Sequence, residues 1–388
     1  MKPPVLVLLS ALAVLCGQSV AADQSAAIPE INLPRAYDKL VNEKKLVVAF
    51  VGASVMAGAS ATAAEKTSWR ALVTQALQAQ YPDARIEAVN TSVGGRGADY
   101  ANFHFKYDTL PKKPDLIFTD AYCNGPTAMK RSGAMKVSSG KSAKRCPRPS
   151  LSWCISTKKS GGGVDRFYAK GEMSEAQLHS LCGHYGIPDL DLAKVLYDAF
   201  QAKPEKHLLA DSVHPNDAGH KIYADAVMQF LKQHIVKGSA AAQAMPPPFK
   251  PNPMENPNVI DAQAAVKLGT GWKLEERPMG FMPETLTVAD SSQGAELNAT
   301  FTGTQIAVYW LNSFEGGQLE WSVDDQPAQR ISSASDFIVK IHGSAVTFDR
   351  LLKGGLSYGE HKLTVRALAE KPANSLGNTI KIGAIVTQ

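Results

Sequence analysis

The sequence predicts a three-layer α/β/α domain built on a parallel sheet, followed by a β-sandwich. Three observations carry this. Between Lys45 and Ile235, strand-like apolar runs alternate with helix-like segments, the pattern of a parallel sheet covered on both faces. The stretch Ala240–Pro257 is rich in Ala and Pro, as in a semi-rigid linker. Past it, short strand-like runs are divided by Gly, Asn and Asp, which suits an all-β sandwich.

The elements follow in order. Leu46–Val51 is an apolar run of buried-strand character. Ser68–Gln80 carries Trp69, Leu72, Val73 and Leu77 at helical spacing. Arg85–Asn90 and Asp115–Thr119 are short strands, Met173–Tyr185 a helix, and Ile187–Leu192 a short strand leading into a helix over Ala193–Phe200. Ala218–Ile235 is a long amphipathic helix. In the second half, Glu296–Thr302, Gln305–Leu311, Gln318–Val323 and His361–Ala367 are the strand candidates. The expected division is residues 37–237 for the first domain, 238–257 for the linker and 258–388 for the sandwich.

Composition narrows the function classes. Met1-Lys2, an apolar run from Val5 to Cys16 and Ser19-Val-Ala-Ala22 form a basic start, an apolar stretch and a small-residue cleavage site, so residues 1–22 read as a signal peptide. That run is too short to span a bilayer. The expectation is a periplasmic or secreted protein with no stable membrane insertion. The net charge of +5 is small and partly concentrated between Lys130 and Lys159, which argues against a nucleic-acid partner. Cys123, Cys146, Cys154 and Cys182 match no zinc template, and their pairing is open.

The chemistry concentrates in Asp211-Ser-Val-His214-Pro-Asn-Asp-Ala-Gly-His220. A carboxylate three residues before a histidine can hold the imidazole beside its orienting partner. A serine nucleophile needs such a pair, because its hydroxyl attacks only once a base takes the proton. The candidate serine is Ser54, where the run Leu46–Val51 opens into Gly52-Ala-Ser54. Two more blocks lie between, each after a strand: Asn90-Thr-Ser-Val-Gly94-Gly95, and Asp115-Leu-Ile-Phe-Thr-Asp-Ala-Tyr-Cys-Asn124. His179, His184 and His220 read as structural or surface histidines, with no metal-ligand spacing among them.

These four ordered blocks resemble the SGNH hydrolases, also called the GDSL esterase/lipase family. The likeness runs from about Lys45 to Ile235 and implies a flavodoxin-like α/β/α domain. It implies Ser54, His214 and Asp211 as a catalytic triad. It implies the Ser54 and Gly95 backbone N–H groups and the Asn124 amide as oxyanion donors. No metal or cofactor is implied. The family's usual Gly-Asp-Ser is Gly-Ala-Ser here, and its usual Asn-Asp is Asn124-Gly125.

The second half, around Phe301–Trp310, Gly317–Asp325 and Tyr358–Val365, resembles β-sandwich modules appended to some bacterial members. This architecture implies a polysaccharide or cell-wall glycan, or a small ester, as substrate, with O-acetyl groups foremost. A lipase-like esterase and a non-catalytic glycan binder are the rival readings. Trp310, Trp321, Tyr309 and Phe314 could stack on sugar rings or fill the sandwich core.

Residues 125–163 break the alternation. Met135–Cys154 is rich in Ser, Lys and Arg and has neither helical nor strand periodicity. Shifted by one base, with TCN serines and CGN arginines, the stretch acquires apolar positions on one helical face and then a buried-strand pattern over Pro149–Ser156. The spacing points to a reading-frame slip near Gly125 with a return near Gly163. As written, the stretch is expected to be irregular and to lack a central helix–strand unit.

Overall fold

The computed structural model describes residues 33–94, 104–119, 151–155 (backbone only), 180, 182–203, 207–211, 213–238, 246–247, 258–260, 266–268, 271–275, 285–288, 295–334 and 345–387. The leader at 1–22, Gly95 and Asn124 lie outside these residues, as does most of the linker.

The first half contains α1 (Pro34–Val41), β1 (Lys45–Val51), α2 (Ser54–Ala57), α3 (Ala64–Thr67), α4 (Trp69–Gln80) and β2 (Arg85–Asn90). β3 (Leu116–Thr119), β4 (Leu151–Ile155), β5 (Asp189–Leu190), α5 (Leu192–Ala202) and α6 (Asp217–His234) follow. The five strands pair in parallel in the order β2-β1-β3-β4-β5. This is the doubly wound order whose switch point lies between β1 and β3, where ligands bind beyond the carboxyl strand ends.

β1 is buried at every position after Lys45, as a central parallel strand must be. Its side chains alternate. Leu46, Val48 and Phe50 join a core with α1, α4, α5 and α6, while Ala49 and Val51 join Ile117 and Phe105 in a separate cluster. At the opposite end of the sheet, Asp115 pins β3 to β1. Its N–H donates to the Val47 carbonyl at 2.8 Å, and its carboxylate accepts the Val47 N–H at 3.0 Å.

Three expectations need correction. β5 is only two residues long, and Leu192 already starts α5, because Asp191 caps that helix by accepting from the Lys194 N–H at 2.8 Å. The second correction concerns residues 125–163. Leu151–Ile155 forms β4, between β3 and β5, where no strand was expected. Four of its five residues are Leu, Trp, Cys and Ile, a strand-forming composition that the surrounding Ser, Lys and Arg obscure. The rest of 125–163 lies outside the described residues.

The third correction is in the second half, which has more strands than the four expected. β6 (Asn258–Ile260), β7 (Val266–Leu268), β8 (Lys273–Glu275) and β9 (Thr285–Val288) precede β10 (Glu296–Gly303), β11 (Ile306–Asn312) and β12 (Gln318–Val323). β13 (Gln329–Ser332), β14 (Val346–Lys353), β15 (Gly359–Ala367) and β16 (Ile380–Thr387) complete the described set. They form two antiparallel sheets, β13-β12-β15-β10-β7 and β14-β11-β16-β9-β8, with β6 beside β16. Trp310 and Trp321, 2% and 6% exposed, lie in the core between them. Tyr309 is also fully buried, and its ring meets His104 edge-on at 5.0 Å. Burial removes these three as sugar platforms; Phe314 is half-buried. Nearby, the Tyr107 hydroxyl and Lys106 Nζ reach Asn258 Oδ1 at 3.1 and 3.2 Å. Among the described residues no helix is long and apolar enough to cross a membrane.

Candidate active site

Ser54 follows β1 directly and opens the single-turn helix α2. Its backbone is pinned from several sides. The Ser54 carbonyl accepts from the Ala59 N–H at 2.8 Å. The next carbonyl, of Val55, accepts from the Trp69 indole N–H at 3.1 Å. The Trp69 ring packs on Phe50 and Phe118 at centroid distances of 5.5 and 5.8 Å. Each such aromatic contact is worth about 0.5–1.5 kcal/mol beyond burial, so the turn after the nucleophile is tied to the domain's core. α2 ends at Gly58 with φ +90°, where a Cβ would sit 2.7 Å from that of Ser68. Glycine is required there by both backbone and space.

The base arrives on a second loop. The Ala210 N–H donates to the His214 carbonyl at 2.9 Å, and the Asn216 N–H to the Leu208 carbonyl at 3.1 Å. This narrow loop puts Asp211 and His214 at its tip. Asp211 Oδ1 accepts the backbone N–H groups of Val213 and His214, each at 2.7 Å, the local turn that aspartate favours. Its Oδ2 lies 2.7 Å from His214 Nδ1. Asn216 then caps α6, accepting from the Gly219 N–H at 3.1 Å. At Gly219 a Cβ would fall 2.3 Å from the Leu208 carbonyl oxygen, so only glycine lets α6 start this close to the loop.

The two loops meet at one hydrogen bond. His214 Nε2 is 2.9 Å from Ser54 Oγ. Burial pushes the Asp211 pKa up, but the hydrogen bonds from the His214 ring and from the His214 and Val213 backbone outweigh it and hold the carboxyl below its usual range. An ionised carboxylate only accepts, so Nδ1 carries the ring proton and Nε2 is left to accept from Ser54. This is the arrangement that can draw a proton from a serine hydroxyl. Ser54 and His214 are both half-buried, so the pair faces a surface that substrate can reach.

The second block also comes to the serine. The Val93 N–H donates to the Gly52 carbonyl at 2.9 Å, and a Cβ on Gly94 would lie 3.7 Å from that of Ser54. The two other oxyanion candidates, Gly95 and Asn124, lie outside the described residues.

Sequence reading left His220 as structural or surface and gave Asp217 no role. His220 is fully buried, and burial outweighs its hydrogen bond to the Ala59 carbonyl to lower its pKa. Its partners lie more than 150 positions upstream, and only the spacing of Asp217 and His220 on one turn hinted at a shared face. His184 is half-buried and meets the Pro247 carbonyl at 2.8 Å.

A two-domain esterase (CEX) active on acetylated mannans matches this structure at TM-score 0.77 and 18% identity, covering 92% of this chain and 95% of that one. The same esterase co-crystallised with mannopentaose matches with the same TM-score of 0.77, identity of 18% and coverage of 92% and 95%. Axe2, an acetylxylan esterase from Geobacillus stearothermophilus, matches over 48% of this chain and 94% of its own at 18% identity, with a TM-score of 0.41. No protein-family model and no curated protein matches the chain. The strand order and the two-domain likeness give the chain a three-layer α/β/α fold with a parallel sheet, followed by a β-sandwich, as in that two-domain esterase.

Proposed function

We propose that this chain is an exported serine esterase that removes O-acetyl groups from a polysaccharide. The observation that carries the reading is the hydrogen-bonded series Asp211–His214–Ser54 beyond the carboxyl end of β1. Ser54 Oγ attacks the ester carbonyl carbon while His214 Nε2 takes its proton. The tetrahedral intermediate collapses, the sugar hydroxyl leaves with the proton from His214, and Ser54 is left acetylated. Water, activated by the same nitrogen, then releases acetate. Asp211 stays ionised throughout and stabilises the imidazolium.

The Ser54 and Gly95 backbone N–H groups and the Asn124 side chain are the proposed donors to the oxyanion. Loss of one such donor typically costs about 100- to 1000-fold in rate. No step calls for a metal or cofactor. Cleavage after Ala21 or Ala22 would release a chain beginning at residue 22 or 23 for export. The substrate class rests on the likeness, across both domains, to an esterase active on acetylated mannans.

The test is acetate release from acetylated mannan and acetylated xylan by the mature chain, beside labelling by a serine-directed phosphonate. Release that vanishes in Ser54→Ala supports the reading. Labelling with hydrolysis of long-chain esters alone would move it to a lipase-like esterase. Neither labelling nor release would leave a glycan-binding protein.

A further inference from the structure

The segment that carries Asp211 and His214 touches the nucleophile's side of the site at two further points. His220 engages both ring nitrogens. Its Nδ1 accepts from the Trp69 backbone N–H at 3.3 Å, which leaves Nε2 to donate to the Ala59 carbonyl at 3.1 Å. Ala59 in turn donates its N–H to the Ser54 carbonyl at 2.8 Å. Asp217 lies three residues earlier, on the same face of α6. Its Oδ1 accepts the Thr62 N–H at 2.8 Å and the Thr67 hydroxyl at 2.9 Å, and the Thr62 hydroxyl donates to Oδ2. Ala59, Thr62, Thr67 and Trp69 all belong to the stretch of chain that leaves Ser54.

We propose that Asp217 and His220 are positioning residues that fasten the nucleophile's loop to the helix behind the general base, and so hold Ser54 Oγ within reach of His214 Nε2. The inference deepens the esterase reading and rests on it. Ser54 and His214 are 160 positions apart and joined directly by the reacting hydrogen bond. The His220 tie closes a ring around that bond, from Ser54 through Ala59 and His220, back along α6 to Asn216, and through His214 to Ser54; the Asp217 tie closes a wider one through Thr62. A displacement of about 1 Å between reacting groups can cost on the order of 100-fold in rate. A phenylalanine at 220 would keep most of the volume and leave the Trp69 N–H and the Ala59 carbonyl without their partner. A glutamine would return one acceptor and one donor.

The test compares His220→Phe, His220→Gln and Asp217→Ala with the unaltered mature chain. His220→Phe should lower kcat, counted per phosphonate-titrated site, by about 10- to 100-fold with KM little changed. His220→Gln should recover part of that loss, and Asp217→Ala should show a smaller loss in the same direction. Backbone hydrogen exchange supplies a readout independent of catalysis. It should quicken over residues 54–68 in His220→Phe and Asp217→Ala and stay unaltered in β2 and β3. Unaltered kcat per site in both variants, with only Tm lowered, would overturn the proposal, as would unaltered exchange over 54–68. An unaltered chain that neither releases acetate nor takes the label would overturn the esterase reading instead, and the exchange pattern would still decide whether the ties hold the loop.

Discussion

Each domain holds an aspartate–histidine pair, and at Nδ1 the two are almost alike. Asp211 Oδ2 lies 2.7 Å from His214 Nδ1, and Asp324 Oδ2 lies 2.9 Å from His361 Nδ1. Both carboxylates also accept backbone N–H groups, Asp324 from Lys362 at 2.9 Å. The difference is at Nε2. His214 meets the Ser54 hydroxyl at 2.9 Å, whereas His361 meets the Ser357 carbonyl at 2.9 Å. A hydroxyl can donate and a carbonyl cannot, so the partner of His214 Nε2 can offer it a proton, whereas the partner of His361 Nε2 can only accept one. Accordingly the Ser357 carbonyl, followed by Asp324, raises the His361 pKa against a smaller opposing effect of burial. A general base must be neutral to take a proton, and a clip between strands need not be. The third partner, not the pair, separates a catalytic arrangement from a structural one.

The sharpest way to break this comparison is to delete each histidine. His214→Ala, like Ser54→Ala, should lower kcat by about 10⁴-fold or more, with a folded protein by circular dichroism. His361→Ala should leave kcat within about twofold, since its ring touches no reacting group. Comparable losses from the two histidines in an acetate-release assay would sink the distinction. Asp211→Asn comes next, at about 10²- to 10⁴-fold, because it disturbs the tautomer and orientation of His214 rather than the nucleophile. Asp324→Asn should leave the rate alone.

The two pairs also differ in how legible they are. Asp211 and His214 are three residues apart, so one turn makes the pair and the sequence displays it. Asp324 and His361 are 37 positions apart and meet only because β12 pairs with β15, a register that no local pattern announces. The same contrast runs through the fold. β1 and β3 stand out as apolar runs before turn signals, and Ser68–Gln80 as a helix by the spacing of its apolar residues. β16 was missed. It is buried on both faces at nearly every position, so it has no alternation to read, and Gly383 looks like a break. β8, β9 and β13 are only three or four residues long, too short to separate from loops. His220 and Asp217 act on residues more than 140 positions away, and a single sequence carries no signal at that range.

A third test turns on packing around the catalytic loop. The loop bearing Asp211 and His214 is pressed against the start of α6 at Gly219, where an added Cβ would meet the Leu208 carbonyl oxygen at 2.3 Å and Pro215 Cβ at 2.8 Å. Backbone cannot swing aside as a side chain can. Gly219→Ala should therefore cost roughly 1–3 kcal/mol in stability, as overpacking usually does, and should lower kcat as well because the loop carries the base. At the Asp324–His361 clip, Gly359 has nothing within 4 Å of an added Cβ, so Gly359→Ala should change Tm little. Urea unfolding of both variants would check this, and equal midpoints would count against the packing argument.

The smallest effect concerns pH, and its sign differs between the pairs. The His361 pKa is raised in the folded protein. Its pair therefore contributes stability that is fully present below the unfolded value of about 6.5 and is lost as pH rises through the folded value. The Asp211 pKa is lowered. Its pair contributes stability present above the unfolded value of about 3.9, which is lost as pH falls through the folded value. Both effects should be modest, because Asp324 is 40% exposed and Asp211 51% exposed, and water screens such pairs. The measurement is the Tm of the unaltered chain minus that of His361→Gln, followed from mildly acidic to alkaline pH. The difference should be positive on the acidic side of about pH 6.5 and shrink as the solution becomes alkaline. The corresponding difference for Asp211→Asn should hold through neutrality and shrink only in acid. A His361→Gln difference that grew with pH would mean that this ring is neutral when folded, and the contrast drawn from its Nε2 partner would fail.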